Sequence, residues 1–217
     1  MGDNRNFGTV LAKTAVSAAI GGTASKLSGG NFANGAATGA FQQLFNHTVS
    51  EVRKQFEEAK TQARQDGLNK ASEYFGEYQP GDGAPHFYEI GPTMLCSQGS
   101  SWCTLAGVTF TIDSNAVPFT TGTGEGRYDL PFGMGIDPVT HDRPEAGVWL
   151  NITEPGHRYH SGRVIHVLVN RNKVFWLYSV GIGSGPNPAA NESQGRWIFG
   201  NTHSKIQNSI RISGGGQ

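Results

Sequence analysis

Thr153-Glu154-Pro155-Gly156-His157-Arg158-Tyr159-His160-Ser161-Gly162 gathers two histidines, a glutamate, an arginine and a serine in one short stretch. Imidazole titrates near neutrality and can both take and give a proton. Arginine can hold a phosphate or carboxylate through two parallel hydrogen bonds. Such a set suits metal-independent cleavage of a phosphodiester. One of His157 and His160 would deprotonate a ribose 2′-hydroxyl and the other would protonate the leaving oxygen, with Arg158 or Arg163 facing the developing charge. The scheme needs no cofactor and no metal. Its candidate catalytic residues are His157, His160, Arg158, Glu154 and Ser161, and its candidate substrate contacts are Arg163, Asn187 and Asn191. The plainer alternative is that both imidazoles only bond the backbone of their own loop.

A metal reading competes. His157-x-x-His160 with His141, Asp137 or Asp142 would offer zinc ligands, but HxxH in a glycine-rich loop is far less specific than HExxH on a helix. That chemistry would serve a hydrolase of cell-wall or lipid substrates. Gly122 to Gly126 and Gly181 to Gly185 are glycine runs without the Lys-Ser/Thr ending of a phosphate loop, and each is expected to be a turn, with a mobile lid as the alternative. His166 alternates with apolar residues and reads as a hydrogen-bonded core or edge histidine. His203 with Ser204 and Lys205 is a remote triad candidate. Cys96 and Cys103 frame a Ser/Gly-rich loop that can close as a disulfide, as in exported proteins; the alternative is two buried thiols.

The elements that must position these groups fall into two parts. Residues 1 to 80 read as helical. A small-residue helix is expected over 9 to 28 and a second over 32 to 45. A third opens at the capping box Thr48-Val-Ser-Glu51 and carries Val49, Val52, Phe56, Ala59 and Ala63 at helical spacing. Its phase slips at Gly67, resumes at Leu68, and ends at Pro80-Gly81-Asp82-Gly83. From residue 84 the pattern turns to β. Val108, Phe110 and Ile112 alternate as a strand, and 113 to 146 reads as a long irregular loop. Val148, Leu150 and Ile152 alternate again. Two strands, 163 to 169 and 174 to 180, flank Asn170-Arg171-Asn172-Lys173 as a hairpin. Arg196 to Phe199 is read as a last strand and Asn201 to Ile212 as a closing helix. The fold class is therefore α+β, a helical module followed by an antiparallel β-rich domain.

Within the helical part, Gly21 to Asn46 reads GGTASKLSGGNFANGAATGAFQQLFN. Glycine costs a helix roughly 1 kcal/mol relative to alanine, so its accumulation points to close backbone approach, and Gly35-x-x-x-Gly39 has the spacing for it. With Phe32, Phe41 and Phe45, this segment resembles the stretch just ahead of the C-terminal toxin in large secreted bacterial polymorphic toxins. These are the filamentous-haemagglutinin-like contact-dependent inhibition proteins and the Rhs-repeat proteins. The resemblance covers about residues 7 to 46. It implies a pretoxin connector over 1 to 80 and a variable toxin domain over 84 to 217. It also implies a longer parent protein or secretion apparatus, a cognate immunity protein as partner, and secretion into a target bacterial cell. It does not specify the chemistry of the tip.

Composition narrows the choice. The 17 basic and 17 acidic residues cancel, which argues against a wholly basic nucleic-acid binder and leaves room for a local patch. The 31 glycines are about twice the average ~7% usage. Thr9 to Ile20 is apolar but shorter than the ~20 residues of a membrane-spanning helix, so no stable span is expected. The leading expectation is a ribonuclease-type effector acting on RNA in the target cell. The alternatives are a cell-wall or lipid hydrolase, a membrane-depolarising toxin inserting its glycine-rich module, and an inert adhesin tip.

Overall fold

In the computed structural model the described residues are 32–75, 83–97, 102–115, 124–129, 136–157 and 159–214. The expected helix at 9 to 28 lies outside them. The chain is α+β and divides into two compact units, 1–58 and 59–217. Its elements are α1 (Phe32–Ser72), β1 (Ala84–Ser97), α2 (Leu105–Asn115), β2 (Gly124–Asp129), β3 (Ile136–Glu145), β4 (Val148–Thr153), β5 (Gly162–Arg171), β6 (Val174–Gly185) and α3 (Pro188–Gly214). The strands form one antiparallel sheet in the order β1-β6-β5-β4-β3-β2.

Four expectations need correction. Helix α1 is continuous through Thr48, so the capping-box sequence starts nothing; no Gly or Pro between 46 and 66 forces the backbone out of helix there. Val108 to Ile112 is helix, not strand. Val108 and Ile112, four apart, are fully buried while Phe110 is 72% exposed, which is the helical period. Thr104 caps that helix, its hydroxyl accepting the Gly107 N–H at 3.1 Å. Arg196 to Phe199 belongs to α3, which opens at Asn187-Pro188, a good cap followed by a proline at the first helical position. The stretch 113 to 146 also holds β2 and β3 among its described residues.

The hairpin between β5 and β6 is as read. Arg171 pairs with Val174, and Asn172 and Lys173 both have positive φ (51° and 63°), the two-residue turn that matches strand twist. Each sheet face carries its own core. One, from Leu150, Ile165, Val167, Trp176 and Val180, meets Ala59, Ala63 and Ala71 of α1. Gly67, where the sequence period slips, lies on Tyr178: a Cβ there would stand 2.6 Å from the ring. The other core joins Leu95, Trp149, Phe175 and Leu177 to Val108 and Ile112 of α2 and Ile206 and Ile210 of α3. Cys96 and Cys103 are joined in a disulfide inside this second core. Asp113 of α2 accepts from Trp149 Nε1 at 2.9 Å and Arg143 at 2.7 Å.

Candidate functional site

A cavity of about 540 Å³ lies between α3 and the sheet, within the roughly 300–1,000 Å³ of small-molecule sites. Beside it, one end of β6 has no side chains on that face, and residues of β1 fill the room. Tyr88 and His86 of β1 sit directly opposite Gly181 and Gly183. A Cβ at Gly181 would stand 2.1 Å from the Tyr88 ring, and one at Gly183 would stand 2.4 Å from the His86 ring. On the other side, Gly195 of α3 leaves the same room for Tyr88. The run Gly181 to Gly185, expected as a flexible turn, is thus the end of a strand in which alternate glycines seat two aromatic side chains.

His86 is the least satisfied group in this wall. It is buried, lines the cavity, and its Nδ1 has no hydrogen-bond partner. Burial lowers its pKa, against a smaller raising influence of Glu192, so the ring is neutral at neutral pH.

The connection from β4 to β5 forms the neighbouring wall. Thr153 Oγ1 accepts the Gly162 N–H at 2.6 Å, closing the loop at its base. Two tight turns follow within it, His157 N–H to the Glu154 carbonyl at 2.9 Å and His160 N–H to the His157 carbonyl at 3.0 Å. Gly156 supplies the positive φ of 95° that the first one needs. Glu154 N–H donates to the Pro138 carbonyl, and Thr140 donates to the Glu154 carboxylate at 2.7 Å. The Tyr159 hydroxyl donates to Gln194 of α3, tying loop to helix.

The sequence-derived candidates separate within this frame. His157, Arg163 and Asn191 line the cavity. The His157 Nδ1 accepts the Tyr159 N–H at 3.0 Å, which places the ring proton of the neutral form on Nε2. The Arg163 guanidinium is committed elsewhere, donating to the Tyr74 carbonyl at 2.6 Å. His160 is exposed, and its Nδ1 donates to the Thr153 carbonyl at 2.9 Å. Glu154 holds the turn as described. The Ser161 carbonyl accepts the Ser184 N–H at 2.9 Å. Asn187 precedes α3 and is exposed. Arg158 lies outside the described residues. Among the described residues no group of His, Cys, Asp and Glu is arranged to hold a metal ion.

Reasoning from sequence missed His86, Tyr88 and Gln194 as cavity residues; Ser204 and Lys205, singled out only as partners of His203, line it as well. The signal for the first two was present: His86-x-Tyr88 alternates, and so does Gly181-x-Gly183-x-Gly185. It becomes readable only when the two segments are known to be neighbouring strands. His203, expected at most in a triad with Ser204 and Lys205, is buried and bonds Ser179 at 2.7 Å and Thr93 at 2.9 Å instead. His166 is a satisfied core histidine, as read, bonded to Ser179 at 2.6 Å and Asn151 at 3.0 Å.

No family model and no curated protein matches the chain. Among solved structures it is similar to the di-domain aromatase/cyclase StfQ from the steffimycin biosynthetic pathway, with TM-score 0.37 and 8% identity over 61% of this chain and 52% of that one. The chain thus spans about half of that protein. It is also similar to Ara h 8.0201, with TM-score 0.36 and 11% identity over 59% of this chain and 99% of that one. A conserved protein from Geobacillus kaustophilus gives 0.33 and 14%, over 59% and 95%. Likenesses at these levels assign neither a family nor an activity.

Proposed function

We propose that this chain is the C-terminal region of a secreted bacterial polymorphic toxin, and that its sheet-bearing part cleaves RNA without a metal at the cavity beneath α3. The toxin reading rests on the Gly/Phe segment ahead of the fold. The observation that carries the chemistry is that two imidazoles, His86 and His157, line one cavity together with the exposed Lys205, with no carboxylate among its described lining residues. Such a lining suits a neutral or anionic ligand. The neutral His86 would take the 2′-hydroxyl proton. His157, in its doubly protonated form, would give its Nε2 proton to the 5′-leaving oxygen and return to the neutral ring, and Lys205 would face the charge that develops on the phosphate. In this scheme His86 takes the part that the sequence reading gave to His160.

The cognate immunity protein, in this reading, protects the producing cell by closing the cavity mouth. The test is induction in bacteria followed by RNA gels. The parent degrades RNA and kills. His86→Ala and His157→Ala each lower cleavage by about 10²–10⁴-fold, the usual worth of one proton-transfer group, while His160→Ala stays near the parent. Full activity in both of the first two variants would remove the mechanism.

The apolar lining by Val139, Val164, Ile182 and Phe199 favours a second reading, hydrolysis of a lipid or cell-wall fragment. Killing without RNA loss, still abolished by His157→Ala, would select it.

A further inference from the structure

Six side chains from six elements form one unbroken hydrogen-bonded line through the sheet-bearing unit. His141 Nδ1 (β3) meets Asn151 Oδ1 (β4) at 2.6 Å. Asn151 Nδ2 meets His166 Nε2 (β5) at 3.0 Å. His166 Nδ1 meets Ser179 Oγ (β6) at 2.6 Å. Ser179 Oγ meets His203 Nε2 (α3) at 2.7 Å, and His203 Nδ1 meets Thr93 Oγ1 (β1) at 2.9 Å. All but Thr93 are buried, His166 and Ser179 completely.

The donor inventory gives this line a direction. A carboxamide oxygen only accepts and its nitrogen only donates, while a neutral imidazole does one of each. His141 Nδ1 therefore donates to Asn151, and Asn151 donates to His166 Nε2. The His166 proton must then sit on Nδ1 and go to Ser179, whose own hydrogen is free to go to His203 Nε2. In that arrangement the His203 proton sits on Nδ1 and goes to Thr93. One amide orientation sets the tautomers of His141 and His166, and those two rings hold the amide. A second proton on His166 would oppose the Asn151 amide donor to donor and break the line. Burial, the largest influence on all three rings, keeps them neutral.

Asn151 is the member of this line that lines the cavity. His166 takes one of its two amide hydrogens, and the other is left for a ligand. We propose that Asn151 is a ligand-binding donor of the cavity, and that His141, His166, Ser179, His203 and Thr93 are positioning residues that hold its N–H toward a phosphoryl oxygen of a nucleotide. This rests on the RNA-cleavage reading for the nucleotide, and on geometry alone for the line.

The test uses the full 217-residue chain with the four nucleoside 3′-monophosphates as probes. Long-range ¹H–¹⁵N spectra of the histidines are expected to show Nδ1–H tautomers at His141, His166 and His203. The parent binds at least one 3′-nucleotide. Asn151→Asp weakens that binding by about tenfold or more, the usual cost of losing a hydrogen bond to a charged group. Ser179→Ala, outside the cavity lining, shifts the His166 signals and also weakens binding. Should Asn151→Asp fail to fold, Ser179→Ala decides.

Nε2–H tautomers at His166 and His203, parental affinity in the variants that fold, or no binding of any probe by the parent would each overturn the proposal. Binding by the parent without RNA cleavage would overturn the cleavage reading and leave Asn151 in place. Cleavage that survives unaltered in Asn151→Asp would do the reverse.

Discussion

Two glycines of the sheet-bearing unit carry opposite expectations at the scale of single residues. Gly181 lies against Tyr88, which Gly195 confines from the other side, so the ring has nowhere to retreat. Gly181→Ala should overpack the site and cost about 1–3 kcal/mol, read as a lower urea midpoint. Gly200 in α3 meets nothing within 4 Å of a built Cβ. Gly200→Ala should be neutral or stabilise by up to about 1 kcal/mol through helix propensity alone.

Acid sensitivity also belongs to this scale. Burial holds His203 down to about 3 and His166 well below its ordinary value, where the other histidines add to the effect. In the unfolded chain both protonate near pH 6.5. Below that pH the unfolded state binds protons that the folded state does not, so stability falls with falling pH until the folded values are reached. Urea midpoints measured from about pH 7 down to about pH 4 should decline throughout; a flat profile would show that the rings are not buried neutral.

Among the elements, α2 shows how a short apolar run misleads. Val108, Phe110 and Ile112 fit a strand on paper, but the Thr104 cap and the adjoining Cys103 bond start a helix whose buried stripe is Val108 and Ile112. The disulfide anchors that start to β1, and closing a loop of this length is worth about 2–3 kcal/mol by chain entropy. Cys96→Ser with Cys103→Ser should lower the melting temperature accordingly, with the loss largest in signals from Trp149, which shares that core. Thr104→Ala should cost about 1 kcal/mol, measured by denaturant titration.

At the scale of the molecule, the last turns of α1 belong to the sheet-bearing unit. Ala59, Ala63 and Ala71 cover Leu150, Ile165 and Val167, and Arg64 forks onto the Glu89 carboxylate with one bond of 2.7 Å. A chain beginning at Ala59 should melt cooperatively. One beginning at Gly83 leaves that sheet face open and should aggregate or lose its sharp transition, checked by circular dichroism and light scattering. Loss of killing from Gly83 onward would therefore report misfolding, and the Ala59 start is the one that separates an enzymatic tip from membrane insertion by the glycine-rich module. Among the described residues no helix is long and apolar enough to cross a membrane.

Local rules were enough for the β5–β6 hairpin, strand β4, the α+β class and the His157 loop, because each depends on neighbours in sequence: alternation, a two-residue turn, a Pro/Gly-bounded connection. The cavity and the histidine line were beyond such rules. Asn151, His166 and Ser179 each stood as a lone polar residue in an apolar strand, a visible anomaly whose meaning depended on strand order. Only the pairing β1-β6-β5-β4-β3 aligns them and sets His86 over Gly183. Burial then turns that alignment into chemistry, since a polar group shut away from water must find its partner in whatever strand the fold places beside it.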